Sequence, residues 1–294
     1  TDRPCKFSLA PVLNFRDFHA LHQGEFSIAQ TIKQRKVKAI IDQNKTTPVY
    51  FYASCGNYEA YENNIFRGMY YLWEERRGFY PEEDHIVPGK YEIEIAAGEE
   101  KQVTFTCSLE ENIEEIDAAK VIEKEIKRVE NIVRNSDLVK KAKTKAEEKN
   151  MKLIETLVKQ TDTFMVYRDY TRLHTILAGY HWFLDWGRDA MIAFEGLLLL
   201  TKRFDMAKEV LKTFTRDIKY GLVPNGYSGY DNRPLYNSVD SSLLLFEQIK
   251  KYLRYTNDYV WIKENFYEQL KAIIHAYETG IDLDDNNIYL DTDG

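Results

Sequence analysis

Two carboxylates in the second half of the chain sit where a sugar-cleaving pair would be placed. Asp189 lies in Tyr180-His-Trp-Phe-Leu-Asp-Trp-Gly-Arg-Asp-Ala-Met-Ile, and Asp240 in Leu235-Tyr-Asn-Ser-Val-Asp-Ser-Ser-Leu-Leu-Leu. Each stands where a polar, aromatic-rich stretch turns into an apolar run of helical character. Glycoside hydrolysis generally uses two carboxyl groups flanking the bond, one protonated and one ionised. Arg188 adds a fork of donors beside the acceptors of Asp189, a pairing suited to vicinal hydroxyls of one sugar ring. Tyr180, Trp182 and Trp186 offer stacking faces at the first mouth, and Tyr236 and Asn237 flank the second. Between them, Gly221-Leu-Val-Pro-Asn-Gly-Tyr-Ser-Gly-Tyr reads as a long irregular loop, with Tyr227 and Tyr230 as candidate pocket walls.

Chemistry alone leaves simpler roles open. Aspartate is a favoured helix cap, and Arg188 could pair with Asp189 or Asp185. Asp240 faces a further conflict: a helix start favours the ionised carboxylate, whereas a general acid must hold its proton. The loop tyrosines serve equally well as packing.

The elements that must position these residues fall into three stretches. Residues 1–108 carry short β-forming runs such as Val49-Tyr-Phe-Tyr-Ala, Tyr91-Glu-Ile-Glu-Ile and Lys101-Gln-Val-Thr-Phe-Thr-Cys, separated by turn clusters, which predicts a β-sandwich. The run from Tyr91 to Cys107 reads as one hairpin. Residues 109–150 are charge-dense with apolar residues at near-helical spacing, a solvated helical linker. From 151 to 294 the pattern is helical. Residues 189–202 are apolar nearly all round, a buried helix, whereas 205–219 and 258–278 are amphipathic, with Gly280 as a stop. Buried helices alternating with amphipathic ones suit inner helices wrapped by outer ones.

Composition narrows the function. The chain has 294 residues, 44% hydrophobic, 14% aromatic and a net charge of −7. An acidic balance argues against nucleic acid as the partner. No apolar run approaches the roughly 20 residues of a membrane span, so no membrane partner is expected. Cys5, Cys55 and Cys107 are scattered and odd in number, which points to a reducing, cytoplasmic compartment. His19 and His22 lack an evident third ligand, and no phosphate-binding glycine motif occurs, so neither metal nor other cofactor is expected.

The phrases WGRDAMIAFEGLLLL, GLVPNG and YNSVDSSLLLFEQI together resemble the amylo-α-1,6-glucosidase family of glycogen debranching enzymes. NFRDFHAL and WEERRGFYPEEDHIVPGKYEIEIAAGE resemble the N-terminal domain that precedes that catalytic domain in bacterial and archaeal members. The resemblance implies a multidomain protein, an all-β sandwich followed by an all-α (α/α)6 toroid, incomplete here. It implies cofactor-free hydrolysis, with inversion, of α-1,6-linked glucose stubs on glycogen or limit dextrin. By position, Asp240 matches the family's proposed general acid, and Arg188 and Asp189 match residues that hold the non-reducing glucose. The family phrase often has Arg where this chain has Val239, and Ala where it has Ser241. The family's general base is a glutamate expected beyond residue 294; a chain beginning at Thr1 and stopping in Leu-Asp-Thr-Asp-Gly reads as a fragment that would be inactive alone. Two readings compete: another helical-barrel glycosidase, glucoamylase-like or trehalase-like, and a non-catalytic glucan-binding module.

Overall fold

A computed structural model describes residues 2–17, 20–25, 27–41, 47–113, 116–179, 183–283 and 286–288. The chain divides into two compact units, 1–123 and 124–294.

The first unit is built on antiparallel sheets. Strands β1 (Cys5–Leu9), β2 (Ile28–Lys33), β3 (Lys36–Ile41), β4 (Val49–Ala53) and β5 (Asn57–Ala60) come first. They are followed by β6 (Ile65–Tyr70), the one-turn helix α1 (Leu72–Arg76), β7 (Glu82–Ile86), β8 (Gly89–Ile95) and β9 (Phe105–Ser108). One sheet has the order β2-β3-β4-β9, another β1-β8-β5, and β6 pairs with β7. Alternation decides which faces turn inward. Val37, Ala39, Phe51 and Ala53 of the four-stranded sheet are buried in one cluster with Tyr91 of the three-stranded sheet. The Tyr91 hydroxyl donates to Arg35 O at 2.7 Å, so the largest ring in that core also has its polar end satisfied.

The expected hairpin from Tyr91 to Cys107 does not form. Strand β8 already pairs on both edges, Tyr91 opposite Leu9 of β1 and Tyr58 of β5. The chain therefore crosses to the other sheet, where β9 takes the free edge of β4 with Phe51 opposite Cys107. The crossing is fixed at its end by a reciprocal pair, Ser54 N–H to Thr104 O and Thr104 N–H to Ser54 Oγ, both 2.9 Å.

A buried carboxylate locks the β6–β7 ribbon to the N-terminal segment. Glu83 is fully buried and accepts from Arg16 Nε at 2.8 Å, Asn14 Nδ2 at 2.7 Å, the Tyr71 hydroxyl at 2.8 Å and His22 N–H at 3.1 Å. Burial alone would push its pKa up. The Arg16 and Tyr71 hydrogen bonds and the His22 amide outweigh that and hold it below the ordinary glutamate value.

The second unit is mostly helical. After α2 (Ala118–Ser136), which runs across the division, come α3 (Lys145–Gln160), the hairpin β10 (Met165–Arg168)–β11 (Leu173–Ile176) and α4 (Gly187–Phe194). Then follow α5 (Phe204–Thr215), the short ribbon β12 (Gly226–Tyr227)–β13 (Pro234–Leu235), α6 (Asp240–Thr256) and α7 (Tyr259–Thr279). A last hairpin pairs β14 (Ile281–Leu283) with β15 (Asn286–Ile288). The apolar stripes predicted for α5 and α7 meet α4 and α6 in one core containing Met191, Phe194, Leu211, Phe214, Leu245, Ile249 and Phe266.

The apolar run at 189–202 differs from expectation. Helix α4 widens after Phe194 into a π turn over Glu195–Leu199. Leu198 and Leu199 are buried, but Ile192 is 64% exposed and Leu200 is also exposed. Arg203 accounts for the ending. Its N–H donates to Leu198 O, and its guanidinium to Leu197 O at 2.7 Å and Thr161 Oγ1 at 2.6 Å, claiming carbonyls a continuing helix would need.

Because Glu83's pKa is depressed in the folded state, its contribution is present above the ordinary glutamate pKa of about 4.3 and is lost as pH falls through the lower folded value. Glu83→Gln is expected to cost about 1–3 kcal/mol at neutral pH. It is also expected to flatten the decline of the first unit's stability toward acid, read by calorimetry across pH.

Candidate active site at two helix starts

The glycine and proline of the loop before α6, and the aromatic turn before α4, deliver both helix N-termini to one place. Gly187 opens α4 after Trp186, which is extended at φ −93°. Its N–H donates to Asn225 O at 2.6 Å, while Asn225 N–H donates to Leu235 O at 2.7 Å. A Cβ on Gly187 would lie 2.6 Å from Pro224 O and 3.2 Å from Ser241 Oγ, so the position needs glycine for close approach.

This packing brings Arg188 of α4 to Asp240, the first residue of α6. The guanidinium grips the carboxylate at both oxygens, Nε to Oδ2 at 2.5 Å and Nη2 to Oδ1 at 3.3 Å. Ser238 donates a short hydrogen bond to Asp240 Oδ1 and also accepts Ser241 N–H at 3.4 Å. The preceding residue, Val239, supplies no side-chain cap. Ser238 thus serves the amide end of α6, and the Asp240 carboxylate is directed at Arg188. Desolvation works to raise the Asp240 pKa. The Ser238 hydroxyl and the Arg188 guanidinium overcome it, leaving the carboxyl below the ordinary aspartate value and ionised at neutral pH.

Asn225, Ser238, Ser241 and Asp185 carry more of the site than the sequence suggests. Asn225 Oδ1 accepts from Ser241 Oγ at 3.2 Å and from Arg188 N–H at 3.4 Å, and its amide donates to Asn237 Oδ1 at 3.1 Å. Ser241 Oγ lies 3.0 Å from Ser238 Oγ, which closes a polar circuit from the loop to the carboxylate. The available signal was an asparagine in a turn phrase and two hydroxyls flanking an acid; neither specifies a partner 37 residues away in sequence.

Beneath the circuit, Asp185 is fully buried and forms an ion pair with Arg168 through Nε, at 3.0 Å, and Nη2, and accepts from Thr175 Oγ1 at 3.2 Å. Burial pushes the Asp185 carboxyl upward, against the pull of Arg168 and Thr175. Arg168 Nη1 also donates to Asn232 Oδ1 at 2.8 Å, tying β10 to the loop that ends at Asp240.

The other predicted residues divide. Asp189 is exposed in the first turn of α4, one residue from Arg188. Trp186 and Tyr236 are half-buried and Asn237 is exposed. The Tyr236 hydroxyl donates to Asp217 O at 2.6 Å. Tyr227 corrects the expectation of a pocket wall. It is fully buried, its hydroxyl donates to Thr213 O at 2.9 Å and Asp217 Oδ2 at 3.0 Å, and Arg168 lies over its ring at 5.3 Å. It packs the loop down and leaves no open face. Tyr230 is exposed. Trp182 and Tyr180 lie outside the described residues.

Residues 159–294 match the family model described as amylo-alpha-1,6-glucosidase, and residues 1–102 match that described as glycogen debranching enzyme N terminal. A stretch of 100 residues is 34% identical to the glycogen debranching enzyme of Saccharomyces cerevisiae. That stretch is 34% of this chain and 6% of the yeast protein, so the chain spans a small part of that relative's length.

Gly187→Ala is expected to cost about 1–3 kcal/mol, the usual range for an added methyl without space. It should also loosen the Arg188–Asp240 pair, seen as an upward shift of the Asp240 pKa in carboxyl-carbon NMR titration.

Proposed function

We propose that this chain, which belongs to the amylo-α-1,6-glucosidase family of glycogen debranching enzymes, carries the acid half of an inverting glycosidase that removes α-1,6-linked glucose stubs from glycogen or limit dextrin. The observation that supports it most is the two-pronged Arg188–Asp240 contact at the meeting of two helix starts.

In this reading Asp240 is the general acid. Arg188 and Asp189 hold vicinal hydroxyls of the terminal glucose, and Trp186, Trp182, Tyr236 and Asn237 border the ring. Asp240 protonates the glycosidic oxygen while a second carboxylate draws a proton from water on the opposite face. That geometry requires the two groups roughly 6.5–9.5 Å apart. The units are read as a β-sandwich domain (1–108), a helical linker (109–150) and the first part of an (α/α)6 toroid (151–294), working in the cytoplasm.

The low pKa of Asp240 fits this role only if substrate changes it. A glucose that claims the Arg188 guanidinium weakens one of the two contacts, with Arg188 and with Ser238, that keep Asp240 ionised, and the sugar also shields the carboxyl from water. Both effects raise its pKa toward the working range of a general acid. Substrate binding and protonation are coupled through one arginine.

Glucose release from limit dextrin tests the reading. Asp240→Asn is expected to lower kcat by at least about a hundredfold, the usual scale of a general-acid contribution, with folding intact. Undiminished release would return Asp240 to a structural role. Release from maltose or trehalose in preference to the dextrin would favour a different helical-barrel glycosidase. Arg188→Ala in the free protein is expected to raise the Asp240 pKa, because the lost guanidinium stabilised only the charged form.

A further inference from the structure

The segment Tyr70–Glu82 presents an unusual surface in the first unit. Trp73 is 66% exposed and Phe79 57%, and Tyr70 and Tyr80 are exposed as well. Monomeric proteins seldom leave several large rings on one short segment in water without a partner for them.

The segment is held in place from below. The Tyr71 hydroxyl reaches inward to the buried Glu83 at 2.8 Å, and Tyr71 N–H donates to Pro81 O at 2.8 Å. Phe79 N–H closes the turn on Glu74 O at 2.9 Å. At the entry, Gly68 adopts φ +67° and donates its N–H to Asp84 Oδ1 at 3.0 Å, with Arg67 on the other oxygen at 3.2 Å. A buried carboxylate with four donors is a costly anchor, and here it fixes a loop whose rings point outward. Ordering those rings beforehand lowers the cost of binding.

The chemistry around the rings identifies the ligand class. Arg76 lies over Trp73 at 4.9 Å and Arg77 over Phe79 at 5.1 Å. Tyr70 donates to Glu75, and Tyr80 to Glu82 at 3.2 Å. Three carboxylates and two guanidiniums thus share thirteen residues with the rings. The core of a protein–protein interface is depleted in charge, and three acidic groups disfavour a phosphate backbone. Exposed rings carrying guanidinium forks, with carboxylate acceptors beside them, suit a ligand with C–H faces and many hydroxyls.

We infer that Trp73 and Phe79, on the loop anchored by Tyr71 and Glu83, form an α-glucan-binding surface of the first unit. It shares with the proposed function only the class of sugar, and it does not require the chain to hydrolyse anything.

Affinity electrophoresis of the intact chain in gels containing glycogen, with maltoheptaose as competitor, tests this. The exposed pair Trp73→Ala/Phe79→Ala is expected to weaken the retardation about fivefold or more, while Tyr259→Ala, at an exposed ring of the second unit, leaves it unchanged. Tyr71→Phe, which keeps every exposed ring and removes the anchor, should weaken it to a lesser degree. Equal retardation of the double variant and the parent would overturn the inference, as would absence of any retardation of the parent. Sedimentation showing self-association that the double variant abolishes, with glycogen binding unaffected, would overturn it in favour of a protein contact. Absence of limit-dextrin hydrolysis with retardation retained would count against the proposed function and leave this surface standing.

Discussion

An ion pair between partly exposed side chains ordinarily contributes about 0–1 kcal/mol, because water competes for both charges and the side chains lose freedom. The Arg188–Asp240 pair falls in that class, with its side chains 53% and 42% exposed. It spans 52 residues of sequence and joins the first turns of two helices, so its role is better sought in the charge it fixes than in the stability it adds. A weak pair can be exchanged for sugar hydroxyls at little cost. A strong buried one, like Arg168–Asp185 beneath it, cannot. The structure keeps the two kinds apart: the rigid pair holds the loop and turn, and the exposed pair sits where a ligand can reach it.

The rest of the second unit serves to keep these helix starts in register. Asn225 bonds through its backbone to Gly187 and Leu235 and through its side chain to Arg188, Ser241 and Asn237. Tyr277 of α7 donates to Val239 O at 2.6 Å, holding the start of α6 from its other side. The apolar stripes of α5, α6 and α7 supply the packing free energy, and the loop hydrogen bonds convert that packing into a defined geometry.

Much of this was legible in the sequence where one period or one residue type decides the outcome. The stripes at 205–219 and 258–278 follow the 3.6-residue repeat, and Gly280 ends α7 at φ 95°. Loop-to-helix transitions at Asp189 and Asp240 were visible as changes from polar to apolar composition. What sequence could not carry was partner choice. Tyr91 and Cys107 have the alternation of a hairpin, yet strand β8 spends both edges on β1 and β5, a competition that local pattern does not encode. Tyr227 and Tyr236 look alike in a turn-rich phrase; only the position of Thr213 and Asp217 buries one and leaves the other partly open. The end of α4 depends on Arg203 capturing carbonyls of the preceding turn, which an all-apolar run conceals.

The most direct test of the coupling between sugar and charge is the Asp240 pKa itself. Carboxyl-carbon NMR of the chain, titrated without ligand and with saturating isomaltose-type oligosaccharide, reads it without any need for turnover. The account predicts a value below that of an ordinary aspartate in the free protein and a rise when the sugar takes Arg188. A titration of Asp240 that sugar leaves unmoved, with the sugar demonstrably bound, would contradict it.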